Sequence, residues 1–228
     1  MEPYEPTKLP LYNIDWGDHI TKIGNARAAL ARYDGILQGI INPELLLSPL
    51  MTREAVLSSK IEGTQASLED VLQYEADIKE PYKPERVMDI HEVQNYRKAM
   101  GYAVKELKNR PLTINIIKEI HRILLTDVRG KDRAPGEIRR IQNYIALPED
   151  PIEKAIFIPP APPMIIDALS NWEDYLHMDE KDPLVQLAIL KAQFELIHPF
   201  SDGNGRIGRM LVPLILYYKK YFQAPCFI

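Results

Sequence analysis

His198-Pro199-Phe200-Ser201-Asp202-Gly203-Asn204-Gly205-Arg206, with Arg209 three positions further on, gathers a base, a carboxylate, two glycines, an amide and two guanidinium groups. A turn accounts for Gly203 and Gly205, but no turn requires His198, Asp202, Arg206 and Arg209 at these spacings. Hydrophobic periodicity predicts helices over 184–197 and 205–221, so the segment between them feeds backbone N–H groups into a helix N-terminus. Such a place binds anions, and glycines let a phosphate come close to the backbone. Arg206 and Arg209 share one face of the second helix, and guanidinium groups meet phosphate oxygens as a two-pronged fork. Asp202 is a hard oxygen ligand of the kind that Mg²⁺ on a nucleotide uses. His198 is the side chain able to accept a proton near neutral pH. Singly, these residues have plain structural explanations: a dipole-compensating histidine, an Asp-Gly turn, a solvated arginine pair. Their coincidence in one loop does not.

The rest of the chain reads as the frame for this loop. Three prolines in residues 1–16 predict an extended arm, followed by a weakly patterned helix over 18–37. Ser48-Pro49 has the form of an N-cap and first helical turn, and the helix it predicts ends at Gly63. Ser67 and Asp70 mark a short capped helix, and apolar spacing predicts a long one over 85–107. Thr113 caps INIIKEIHRILL, with Ile116, Ile120 and Ile123 on one face. Two short β-like runs, 139–146 and 155–159, sit among Gly, Pro and charge and predict a hairpin. A helix over 164–177 precedes the two that flank the loop. The expected fold class is mainly α, a helical bundle with one β-hairpin.

Composition excludes several functions. The 228 residues carry a net charge of −4, which gives no general attraction to nucleic acid or an anionic membrane. One cysteine, Cys226, allows neither an internal disulfide framework nor a cysteine-based zinc cluster. The N-terminus has no basic start before an apolar run, and the longest apolar stretch, 210–218, is too short to span a bilayer. A cytoplasmic protein without membrane or direct nucleic-acid partners is expected. No G-x-x-x-x-G-K-[ST] or H-E-x-x-H is present, which argues against a P-loop kinase and a zinc hydrolase. The chain's apolar end, QAPCFI, lacks a polar tail and predicts that more chain follows.

The loop fits the signature H-x-F-x-[DE]-G-N-G-R-x-x-R at every specified position and so resembles the Fic family, over about residues 112–221. A second stretch, Ser58-Ser59-Lys60-Ile61-Glu62-Gly63, matches the family's inhibitory motif [ST]-x-x-x-E-[GN] at Ser58, Glu62 and Gly63. The resemblance implies a helical bundle with a hairpin flap, divided into an N-terminal region over 1–110 with an inhibitory helix at about 49–63 and a catalytic core over 111–228. It implies transfer of AMP from Mg-ATP to a Tyr, Thr or Ser hydroxyl of a target protein, or of the chain itself. His198 would be the general base and Asp202 the Mg²⁺ ligand. Gly203, Asn204 and Gly205 would form an anion hole, with Arg206 on the β-phosphate and Arg209 on the γ-phosphate. Phe200 would anchor the loop from inside. Glu62 would pair with Arg209 and misalign ATP, while Ile145 and Ala146 of the flap would touch the nucleotide and register the target. Two alternatives use the same loop: removal of AMP with a water oriented by Glu62, and a nucleotide-sensing module. Homodimerisation stays open.

Overall fold

Side-chain caps mark the starts of four of the helices. In the computed structural model, which describes residues 2–78, 82–147 and 150–222, Asp15 accepts the Gly17 N–H at 3.0 Å and opens α1, Trp16–Gln38. α2 spans Pro43–Ile61. Its start lies six residues before the expected one, because Asn42-Pro43 carries the same cap-then-proline form as Ser48-Pro49. Pro49 therefore lies inside the helix. It and Leu45 are both exposed, so water can serve the carbonyl that the proline leaves without a donor. α2 ends in a Schellman motif, with Thr64 N–H on the Ser59 carbonyl and Gly63 N–H on the Lys60 carbonyl. Gly63 has φ +97°, which a side chain would strain, so the chain turns sharply just after Glu62.

α3, Leu68–Glu75, opens with a complete capping box between Ser67 and Asp70. α4, Pro84–Leu107, buries Ile90, Val93, Tyr96, Ala99, Met100 and Ala103 along one stripe and packs against α2 and α3. α5, Ile114–Leu124, capped by Thr113, lies along α4 with Ile116, Ile117 and Ile120 inward. α6, Pro162–His177, and α7, Pro183–Ile197, form a second layer, pinned where the Trp172 indole donates to the Leu190 carbonyl at 2.8 Å. α8, Asn204–Tyr218, fits between the layers, touching α2, α4, α5 and α7. Its Ile207, Met210, Leu211 and Leu214 fill the centre of the core. The N-terminal arm is extended as expected, and Leu9 exchanges two hydrogen bonds with the Asn171 amide of α6. No helix among the described residues is long and apolar enough to cross a membrane.

The expected hairpin is not formed. Between α5 and α6 the described residues contain no β-strand, and the runs 139–146 and 155–159 meet only through one antiparallel bridge, Ile145 with Phe157. The runs are rich in β-forming Ile, Tyr and Phe, but a ladder needs donors. Pro151, Pro159 and Pro160 have none, and Ile152–Lys154 turns as a single 3-10 helix. Ile145 and Ala146 thus sit on a looped segment and not on a two-stranded flap. The QAPCFI end and Pro81 lie outside the described residues.

Candidate active site

The loop begins where α7 stops. His198 is the C-cap of α7 with φ +49° and ψ +60°, a left-handed conformation uncommon for a residue with a side chain. Pro199 disfavours continuing the helix through His198, and the turn lifts the imidazole off the end of α7. Nδ1 lies 3.4 Å from the Glu195 carbonyl, which can only accept. The ring proton belongs on Nδ1 there, leaving the Nε2 lone pair available. Burial is the largest influence on this imidazole and holds its pKa below the usual histidine range, partly countered by Glu195.

Phe200 and Asn204 hold the loop shut. Phe200 points inward, 1% exposed, and stacks on His121 with ring centroids 3.9 Å apart. The Asn204 amide closes a ring with the Phe200 backbone, Oδ1 accepting the N–H at 2.9 Å and Nδ2 donating to the carbonyl at 2.8 Å. His121 accepts the Gly136 N–H on Nδ1 and donates from Nε2 to the Asp202 carbonyl, which fixes its neutral tautomer. Burial pulls its pKa down to about 4. Gly203, at φ +74°, is the N-cap of α8 and offers no side-chain cap. The first N–H groups of α8 are therefore open to an anion.

The charged residues surround that opening. Asp202 is partly exposed, with Oδ1 accepting the Gly203 N–H at 2.5 Å and Oδ2 turned toward Gly130. Arg206 is 4% exposed, its Nη2 reaches Asp202 only at 3.5 Å, and its Nε has no hydrogen-bond partner. A buried guanidinium so poorly paired is costly and suited to an incoming anion. Arg209 is held from the end of α2: Nε donates to Ser58 Oγ at 2.7 Å, and Nη2 donates to the Ser58 carbonyl at 3.0 Å and to Glu62 Oε1 at 2.6 Å. Glu62 also leans over the first turn of α8. A Cβ added to Gly205 would lie 2.5 Å from Glu62 Oε1, so a carboxylate occupies the place that suits an anion.

The fold thus brings Ser58, Glu62, Gly63, His198, Asp202 and residues 203–209 to one location. Ile145 and Ala146 stand to one side, joined to the loop through Asn143, whose Nδ2 donates to the Phe200 carbonyl at 3.3 Å. Among the described residues, no three His, Cys, Asp or Glu side chains converge as a metal cluster. The donor set fits a cation that takes one carboxylate, Asp202, and completes its shell from a bound polyphosphate and water.

Three contributors escaped sequence reasoning. His121 follows Ile117 and Ile120 on the buried face of α5, so the periodicity itself could have placed it inside. Arg139, in the supposed strand, reaches the His198 carbonyl with Nε at 2.9 Å. Arg129 binds Asp89 and Glu92 of α4, and Glu92 also takes the Thr64 hydroxyl. These contacts fasten the residues after Glu62 to α4. No local pattern announces Arg139 or Arg129, because their partners are backbone carbonyls and carboxylates remote in sequence.

The chain is 31% identical over 112 residues to the protein adenylyltransferase fic-1 of Caenorhabditis briggsae, covering 48% of this chain and 20% of that relative. It is 32% identical over 136 residues to the protein adenylyltransferase Fic of Culex quinquefasciatus, covering 58% and 25%. The chain therefore spans a quarter or less of these relatives' length. It superposes on a Fic domain containing signaling protein from Bacteroides thetaiotaomicron with TM-score 0.68 at 21% identity, covering 85% of this chain and 73% of that one. A Fic family protein from Desulfovibrio desulfuricans gives TM-score 0.69 at 23% identity, covering 95% and 61%. These identities speak for a shared fold. Residues 20–105 match the Fic/DOC family N-terminal model and residues 111–216 the Fic/DOC family model, and on these two adjoining matches the chain belongs to the Fic/DOC family.

Proposed function

We propose that this chain carries the catalytic machinery of an autoinhibited protein adenylyltransferase, which moves AMP from Mg-ATP to a Tyr, Thr or Ser hydroxyl. The observation that carries the proposal is the uncapped N-terminus of α8, framed by His198, Asp202 and the incompletely paired Arg206. The relatives named as protein adenylyltransferases match over about half of this chain and give the same direction.

In this reading His198 Nε2 takes the proton of the target hydroxyl as its oxygen attacks the α-phosphorus. The bond from that phosphorus to the β-bridging oxygen breaks, and pyrophosphate leaves with the electron pair. The backbone N–H groups of Asn204 and Gly205 face the α-phosphate, since the Gly203 N–H is held by Asp202 and the Asn204 side chain is committed to Phe200. Arg206 holds the β-phosphate and Arg209 the γ-phosphate. Asp202 would hold Mg²⁺, which would neutralise polyphosphate charge when bound. Beside the loop, Ala146 offers backbone groups to an extended target segment, since those of Ile145 are taken by Ile156 and Phe157.

Glu62 is the inhibitory element of this reading. Its carboxylate takes Arg209 and fills the space over Gly205, so a triphosphate meets repulsion and loses one of its cations. Glu62→Gly protein, given labelled ATP and cell lysate, is expected to add AMP to protein far faster than the wild type, with His198→Ala inactive. Failure of Glu62→Gly to label any protein, itself included, removes the proposal. The proximity of the Glu62 carboxylate to the loop also favours a second reading, in which it orients water and AMP is released from a modified protein. Loss of AMP from a pre-labelled target on incubation with wild type, and not with Glu62→Gly, would favour that reading.

A further inference from the structure

Arg139 is a buried cation without a carboxylate. It is 3% exposed, and among the described residues no Asp or Glu forms an ion pair with it. Its guanidinium instead serves three carbonyls from three segments: Nε donates to His198 at 2.9 Å, Nη1 to Ile141 at 3.2 Å and Nη2 to Pro160 at 2.6 Å. Its backbone N–H donates to the Pro199 carbonyl at 2.9 Å. Burial alone pulls its pKa down to about 10, so it remains a cation at neutral pH.

This placement has two physical consequences. The last carbonyls of α7 carry the negative end of its dipole and lack helical partners, and a cation there is favourable. By fixing the His198 carbonyl and the next one along, Arg139 opposes the release of a left-handed residue to a less strained conformation. The second consequence is electrostatic. The charged groups facing the His198 imidazole are Glu195 on α7, Glu62 at the end of α2, and Arg139. The two carboxylates favour imidazolium, and Arg139 is the charge that opposes them.

We infer that Arg139 is a positioning residue for the transfer reaction, one that holds the His198 backbone in its left-handed turn and places a positive charge behind the imidazole. The inference rests on the reading of His198 as the base. Arg139 reaches no substrate itself; it acts through His198.

Two variants separate geometry from charge. Arg139→Lys keeps the charge and loses the three-pronged fork, whereas Arg139→Gln keeps amide donors and loses the charge. NMR titration of the His198 ring is expected to move upward in Arg139→Gln and to stay near the wild-type value in Arg139→Lys. In a Glu62→Gly background both variants are expected to lower kcat for AMP transfer on the order of 10-fold, with KM for ATP within about 2-fold. An unmoved His198 titration in Arg139→Gln, or undiminished kcat in either variant, overturns the inference. If neither variant folds, the wild-type Arg139 Nε–H decides: slow exchange with solvent supports its bond to His198, and rapid exchange overturns it. A Glu62→Gly parent without transfer activity defeats the proposed function instead, and the titration still decides what Arg139 does.

Discussion

Glu62 and Arg209, 147 residues apart in sequence, meet with Oε1 2.6 Å from Nη2, and Ser58 supplies the other acceptors of the same guanidinium. The pair is 36% and 24% exposed, so solvent screens it and it contributes little to stability. Its effect falls on whatever else needs Arg209. Because both charge and bulk act against a triphosphate, the two are separable. Glu62→Gln keeps the bulk and loses the charge, so AMP transfer is expected to rank Glu62→Gly first, Glu62→Gln next and wild type last. Rates with labelled ATP give the order, and urea unfolding is expected to differ by less than about 1 kcal/mol among the three.

Arg206 offers a test of the anion site that needs no transfer activity. Its Nε is buried without a partner, and an under-paired buried charge costs stability until an anion arrives. Arg206→Met in the Glu62→Gly background is expected to leave the melting temperature without nucleotide equal or higher. The same variant is expected to lose the upward shift that ATP produces. Thermal unfolding with and without ATP measures both, and a retained ATP shift would remove Arg206 from the phosphate site.

Asn204 is a structural clamp inside a catalytic signature. Asn204→Ala leaves the buried Phe200 N–H without a partner and the Phe200 carbonyl with Asn143 Nδ2 at 3.3 Å. A loss of about 1–3 kcal/mol is expected, measured by urea unfolding. A loss well below 1 kcal/mol would mean that the loop closes without the clamp.

His121 sets an acid limit. Its folded pKa, about 4, lies below the ordinary histidine value because it is buried and neutral. The unfolded chain binds a proton first, so stability is full above pH 6.5 and falls as pH drops from about 6.5 to about 4. His198, also depressed by burial, adds in the same direction. Urea midpoints between pH 7 and pH 4.5 are expected to decline. Replacing His121 with Phe, which cannot take a proton, is expected to flatten that slope while lowering stability at pH 7.

Much of this organisation could be read without coordinates. α4 and α5 follow from apolar spacing, α3 from Ser67 and Asp70, and Thr113 caps where it was expected to. Two features were misread for the same reason, since a local pattern had more than one solution. Asn42-Pro43 and Ser48-Pro49 have the same form, and the burial of Leu47 in the added turns rewards the longer helix. The runs around Ile145 and Phe157 are rich in β-forming residues, yet prolines and the side-chain donors of Arg139 and Gln142 leave a single bridge in place of a ladder.

The sequence alone determined the identities gathered in the loop, the helices on either side of it, and the capping glycine that follows Glu62. Those depend on residues within a few turns of one another, where propensity, periodicity and capping act. Tertiary structure decided what the groups can do. It set the Glu62 carboxylate over Gly205, left Arg206 short of partners, turned the Asn204 amide from ligand to clamp, and put Arg139 behind His198. The physical reason is that these contacts pair a charge or a buried backbone group with a partner distant in the chain, and only packing brings the two within hydrogen-bond reach.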